Sequence, residues 1–152
     1  MADVFSQIHI QIVFAVQNRR ALIDPEWKEE LNRYLTGVLQ NRGHKMLAIG
    51  GTADHIHIFF GLNPADAISD LVREMKKASS WYIRAKRLST YPFSWQSGYG
   101  AFSYHRTSVH SVCKYILNQE EHHRAKSFKE EFHQLLEEYA MDLGKKEVFQ
   151  FF

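Results

Sequence analysis

Cysteine is nearly absent from this chain: Cys113 stands alone, so no internal disulfide can staple the fold. No apolar stretch approaches the roughly 18–20 residues needed to cross a bilayer, and the longest is interrupted by His9 and Gln11. Residues 1–5 lack the basic region and apolar core of a secretory signal. These absences predict a soluble, cytoplasmic protein with no membrane partner. There is no excess of one charge either. Nineteen Lys and Arg face 17 Asp and Glu, a net +2, so overall charge names no partner. Apolar residues at 45% and charged residues at 24% exclude a disordered or collagen-like chain. With no internal repeat, low-complexity tract or linker, residues 1–152 read as one domain.

Two things are abundant: histidine, nine in number, and aromatic residues, at 14%. The order of elements comes from periodicity. Ile8, Ile10, Ile12, Phe14 and Val16 alternate with polar residues, the mark of a half-buried strand. Asp24-Pro25 is a helix-start signal, and Trp27, Leu31, Tyr34, Leu35, Val38 and Leu39 carry helical spacing to about residue 41. Residues 45–49 and 55–60 read as strands around a Gly50-Gly51 turn. Asn63-Pro64 repeats the start signal for a helix reaching about residue 87, with Asp66 placed for its dipole. A fourth strand is expected over 101–105, a helix over 108–119, and a last helix over 128–141 ended by Gly144. Strand, helix, strand, strand, helix, strand predicts an α+β fold: a ferredoxin-like (RRM-like) split βαβ core over about 4–106, with an antiparallel sheet and helices on one face. The C-terminal helices follow over about 108–143. The apolar tail 148–152 is expected to pack on its own chain or on a partner.

His55-Ile56-His57 is the sharpest local feature. Residues two apart in a strand share a face, with Cα atoms about 6.5–7 Å apart, so both imidazoles can reach one divalent ion. The same pair could equally decorate a solvated face. Tyr115 and Gln119 lie four apart, on one helical face. A tyrosine hydroxyl can act as a nucleophile and an amide oxygen as a metal ligand, although a core tyrosine and a surface glutamine would produce the same letters.

In order, the chain has His55-Ile56-His57, a basic helix, Gly98-Tyr99-Gly100-Ala101-Phe102-Ser103, and Tyr115-Ile116-Leu117-Asn118-Gln119-Glu120-Glu121-His122-His123. This set resembles the single-tyrosine HUH transposases, the enzymes of the smallest insertion sequences and the REP-associated tyrosine transposases. The resemblance covers nearly the whole chain. It implies His55, His57 and Gln119 as metal ligands, Mg²⁺ or Mn²⁺ as the metal, and Tyr115 as a nucleophile that attacks DNA to leave a 5′-phosphotyrosine. It gives His122 and His123 no role. It also implies single-stranded or hairpin DNA as substrate, and a homodimer in which the tyrosine helix of one chain meets the histidines of the other, although REP-associated relatives can work as monomers. The edge of strand 101–105 and the apolar tail are the surfaces a second copy could cover.

Arg73, Lys76, Lys77, Arg84, Lys86 and Arg87 cluster against a single acid, Glu74, with Trp81, Tyr82, Tyr91, Phe93, Trp95 and Tyr99 interleaved or following. Basic groups hold phosphates and aromatic faces stack on unpaired bases. Arg73, Lys76, Lys77, Arg84, Trp81 and Trp95 are the DNA-binding candidates. Two competing functions remain. One is a non-catalytic RRM-like nucleic-acid-binding module; the other is a metal-dependent phosphodiester hydrolase that uses water and does not need Tyr115.

Overall fold

The computed structural model describes residues 4–139, 141 and 148–151. Four strands, β1 (His9–Ala15), β2 (Lys45–Gly51), β3 (His55–Gly61) and β4 (Gly100–Tyr104), form one sheet in the order β2-β3-β1-β4. Every neighbouring pair is antiparallel. The helices are α1 (Pro25–Asn41), α2 (Ile68–Ala85), α3 (Val109–Leu117), α4 (Gln119–His122) and α5 (Phe128–Glu138), with a single 3₁₀ turn, Arg106–Ser108, before α3. The α+β class and the βαββαβ order agree with the sequence pattern.

The two-residue period of the strands divides the molecule into two layers of side chains. Ile10, Ile12, Phe14, Ile56, Ile58 and Phe60 point to one face and meet Trp27, Leu31, Leu35 and Leu39 of α1 and Leu71, Val72, Met75 and Ile83 of α2. Each fully buried leucine contributes about 1.5–3 kcal/mol, which secures helices whose other faces are polar. The opposite face carries Val13, Ala15, Phe59, His55 and His57, and the C-terminal half of the chain covers it. Phe128, Phe132, Leu135 and Leu136 of α5 pack there with Phe102 and Phe149, and Val112 and Ile116 of α3 pack on Ala48 and Phe59. Helices therefore lie on both faces, not one.

Three local expectations need correction. Asn63-Pro64 does not start α2. Asn63 forms a turn, its Oδ1 accepting from the Ala65 amide at 3.1 Å, and the helix begins at Ile68 without a side-chain cap. The Asn63 amide donates to His44 Nδ1 at 2.9 Å, and Asp66 accepts from Arg42 (2.8 and 2.6 Å) while facing His44 at 2.8 Å. This segment is tied to the end of α1, so Asp66 serves that clamp and not the helix dipole. The helix expected over 108–119 breaks at Asn118, between α3 and α4. The last helix stops at Glu138, and Gly144 lies outside the described residues. The tail does fold back: Phe149 is buried against Phe128 and Phe132, and the Gln150 amide donates to Gln96 Oε1 at 2.7 Å.

The clamp makes an acid-stability prediction. Arg42 first, and His44 after it, hold the Asp66 carboxyl well below its ordinary value. A depressed carboxyl stabilises the fold above the unfolded value of about 3.9, and that stabilisation is lost as the pH falls below it. Asp66→Asn is expected to lower the melting temperature at pH 7, with the difference from wild type shrinking below about pH 4. An equal difference at pH 7 and pH 3 would count against the clamp.

Candidate active site

β3 lies inside the sheet, between β2 and β1, so its side chains cannot escape to an edge. His55 and His57 share one face, as the spacing predicts, but that face is not solvated: both are 0% exposed. Their Nδ1 atoms are occupied, His55 by Asp54 Oδ1 at 2.7 Å and His57 by Gln11 Oε1 at 2.6 Å. Their Nε2 atoms converge on Glu131 Oε1, at 3.4 and 2.9 Å. Phe128 stacks flat on His55, ring centroids 3.9 Å apart.

Glu131 is the centre of the cluster. It reaches down from α5, takes the Tyr115 hydroxyl on Oε2, and has His123 Nε2 at 3.2 Å from Oε1. Gln119 Oε1 lies 3.3 Å from His55 Nε2 and 3.0 Å from His123 Nε2. The break at Asn118 does not separate Tyr115 from Gln119, whose amide still donates to the Tyr115 carbonyl at 3.4 Å. Gly50 lets the tyrosine helix approach this closely: a Cβ there would stand 2.4 Å from the Ile116 carbonyl oxygen.

The electrostatics follow from burial and these contacts. Burial pushes the His57 imidazole down to about 4, so it is neutral at physiological pH. Burial acts the same way on His55, but Asp54 and Glu131 overcome it and its value rises. Burial alone would raise the Glu131 carboxyl; hydrogen bonds from His123, His55 and His57 outweigh it and keep the group ionised. Tyr115 is raised, by burial first and by Glu131 second, so at rest it holds its proton.

Among the described residues, one group of His, Cys, Asp or Glu side chains can hold a metal: His55, His57 and Glu131, whose ligand atoms all lie within 4.8 Å of one another. Two neutral-capable imidazoles and one carboxylate suit a divalent ion such as Mn²⁺ or Zn²⁺. Sequence reasoning missed Glu131. The available signal was an acid on the apolar side of α5, one residue before Phe132 and three after Phe128. Only a partner in the interior makes such a position tolerable.

Residues 4–119 match the family of IS200-like transposases. The chain belongs to that family. No curated protein matches the transposase in sequence. Two solved structures resemble it in fold. A protein of Deinococcus radiodurans R1 assigned as a transposase shares 20% identity at a TM-score of 0.62, covering 78% of this chain and 95% of that one. A REP-associated tyrosine transposase, solved bound to a REP hairpin, shares 17% identity at a TM-score of 0.59, covering 99% of this chain and 95% of that one.

In this transposase Tyr115 approaches the histidines of its own chain, its ring 6.1 Å from that of His57. The exchange of tyrosine helices between chains implied by the resemblance is not adopted, because α3 is seated on its own β2 and β3. His122 and His123 face the site as well. The His122 ring lies 4.7 Å from the Tyr115 ring, and the His123 ring lies 4.7 Å from the His55 ring.

The DNA-binding candidates separate into two groups. Arg73, Lys77, Trp81 and Arg84 are exposed and, at spacings of four, four and three, form one outward stripe on α2. Trp95 is a core residue instead. It is 7% exposed, its indole donates to Ser79 Oγ at 2.9 Å, and it packs edge-on against Phe14. Lys76 is half-buried and spends its ammonium on the carbonyls of Gln96 (2.7 Å) and Gly98 (2.8 Å). Both are removed from the DNA-binding set. The remaining stripe lies on the face of the sheet opposite the histidines.

Proposed function

We propose that this transposase cleaves and rejoins single-stranded DNA through Tyr115, with a divalent metal held by His55, His57 and Glu131 and with Gln119 beside them. The observation that carries the reading is the convergence of the Tyr115 hydroxyl and both imidazoles on a single buried carboxylate. When bound, the ion would polarise the scissile phosphate and neutralise charge developing on it. The rest is done by the chain. Glu131 Oε2 aims the Tyr115 hydroxyl. An O–P bond forms at the tyrosine as the bond to the 3′ oxygen breaks, and the proton lost by one oxygen balances that gained by the other. The product is a 5′-phosphotyrosine and a free 3′-OH. The energy of the phosphodiester is retained for rejoining, so no high-energy cofactor is required.

Mn²⁺ is favoured over Mg²⁺ here, because imidazole nitrogen is a poor partner for magnesium. The RRM-like alternative is disfavoured by the sheet itself: the face such modules use to stack bases is covered by α3 and α5 and bears histidines. We infer one domain, a cytoplasmic location and a hairpin substrate. A second copy is assigned to the β4 edge, where Tyr139 of the same chain already bonds the Ser103 carbonyl at 2.6 Å and would be displaced. Sedimentation as a monomer at micromolar concentration would remove the dimer.

The direct test is incubation with hairpin DNA carrying a single-stranded flank, plus Mn²⁺, followed by a search for a covalent adduct mapped to Tyr115. Adduct formation without Mn²⁺, or on another residue, would defeat the reading. The α2 stripe gives a separate prediction. Base stacking on Trp81, 60% exposed, is worth about 1–3 kcal/mol. Trp81→Ala is therefore expected to weaken single-strand binding about 5- to 100-fold at constant salt while leaving plain-duplex binding within twofold. Equal losses on both substrates would reduce Trp81 to a general surface contact.

A further inference from the structure

Two residues outside the proposed ligand set control which nitrogen each histidine offers. We propose that Gln11 and Asp54 are positioning residues that lock His57 and His55 in the Nδ1–H tautomer, so that both Nε2 lone pairs face Glu131 before a metal arrives. The inference rests on the metal reading above and goes beyond it, to how the chain prepares its donors.

An ionised carboxylate only accepts hydrogen bonds, so the 2.7 Å contact to Asp54 Oδ1 requires a hydrogen on His55 Nδ1. Thr52 holds that carboxylate by donating to the same Oδ1 at 3.0 Å. His57 is handled differently. Its Nδ1 faces Gln11 Oε1 at 2.6 Å, and the other end of the amide is engaged, Nε2 donating to the Tyr104 hydroxyl at 2.7 Å. Gln11 is buried on β1, one strand over from His57, so little room exists for another arrangement.

The consequence is an unbalanced corner. With both Nδ1 atoms donating, neutral His55 and His57 turn bare Nε2 lone pairs toward Glu131 Oε1, at 3.4 and 2.9 Å. Gln119 Oε1 adds another acceptor, 3.3 Å from His55 Nε2. Acceptors facing acceptors at such distances repel, and only a positive charge among them makes the arrangement favourable. Orienting partners of this kind typically change metal affinity 10- to 100-fold. The two differ in character: Asp54 supports its imidazole with a full charge and Gln11 with a dipole, so Asp54 should contribute more.

Two readouts test this, neither of which is catalysis. In long-range ¹H–¹⁵N spectra of the metal-free wild type, both histidines should show the Nδ1–H signature. An Nε2–H tautomer at His57 would overturn the proposal without any variant. Mn²⁺ binding, followed by the loss of the free-ion electron paramagnetic resonance signal, should weaken about 10- to 100-fold in Asp54→Ala and about tenfold in Gln11→Leu. Gln11→Glu, which keeps an acceptor on His57 Nδ1, should return affinity to within about threefold of wild type. Wild-type affinity in folded Asp54→Ala and Gln11→Leu, with only the melting temperature lowered, would make both residues structural and sink the inference alone. A wild-type chain that takes up no Mn²⁺ would instead bring down the metal reading, and the inference with it.

Discussion

Replacing Tyr115 by phenylalanine is expected to abolish the covalent DNA adduct and to lower strand cleavage by at least about three orders of magnitude, the scale on which removing an essential nucleophile acts. The substitution keeps the ring that packs edge-on against His57 and His122 and deletes only the hydroxyl that Glu131 receives. Folding should be nearly unaffected, since the ring retains its packing. The measurement is denaturing electrophoresis of labelled hairpin DNA after incubation with Mn²⁺, run beside thermal melts. Cleavage that survives in Tyr115→Phe, releasing both ends free, would favour the water-using hydrolase.

The second large effect belongs to Glu131. Its carboxylate is 2% exposed and meets Tyr115, His57 and His123, with His55 close by. Removing one member of a buried charged cluster commonly costs about 3–5 kcal/mol. Relaxation of the histidines to their neutral forms should hold Glu131→Ala near the lower end. At roughly 2–4 °C per kcal/mol for a chain of this size, the melting temperature should fall by about 6–12 °C. Glu131→Gln preserves the shape and isolates the charge. Its Mn²⁺ affinity should drop at least about tenfold, whereas Gln119→Ala should cost less. The reverse order would return the third ligand position to Gln119, where the family resemblance had it.

These two residues also illustrate what the sequence could carry. Alternation from Ile8 to Val16 and the His-x-His spacing are local patterns, fixed by the two-residue period of a strand, and they were legible. So was the proximity of Tyr115 and Gln119, since four residues are one helical turn even when Asn118 interrupts the hydrogen bonding. Glu131 was not legible in this way. An acid in α5 reads as solvent-facing, and its burial depends on three histidines and a tyrosine contributed by other segments. Trp81 and Trp95 show the same limit in aromatic residues. One stands on the outward stripe of α2 and the other under Phe14 and Ser79, and only tertiary packing separates them. Asn63-Pro64 misled for a related reason, because the partners that hold Asn63 and Asp66 come from the end of α1.

The placement of the α2 stripe and the histidine pair on opposite faces of the sheet determines what length of substrate the protein can use. A helix layer stands about 10 Å from its sheet and is itself about 10 Å across. A strand held by Arg73, Lys77, Trp81 and Arg84 must therefore run on the order of 20 Å, around an edge of the sheet, before its phosphate can meet Tyr115. Grip and chemistry are consequently separable. An oligonucleotide too short to make that passage should be held without being cut, and lengthening it on one side only should restore cutting with little change in grip. The side on which added nucleotides help would reveal the direction in which the strand is threaded.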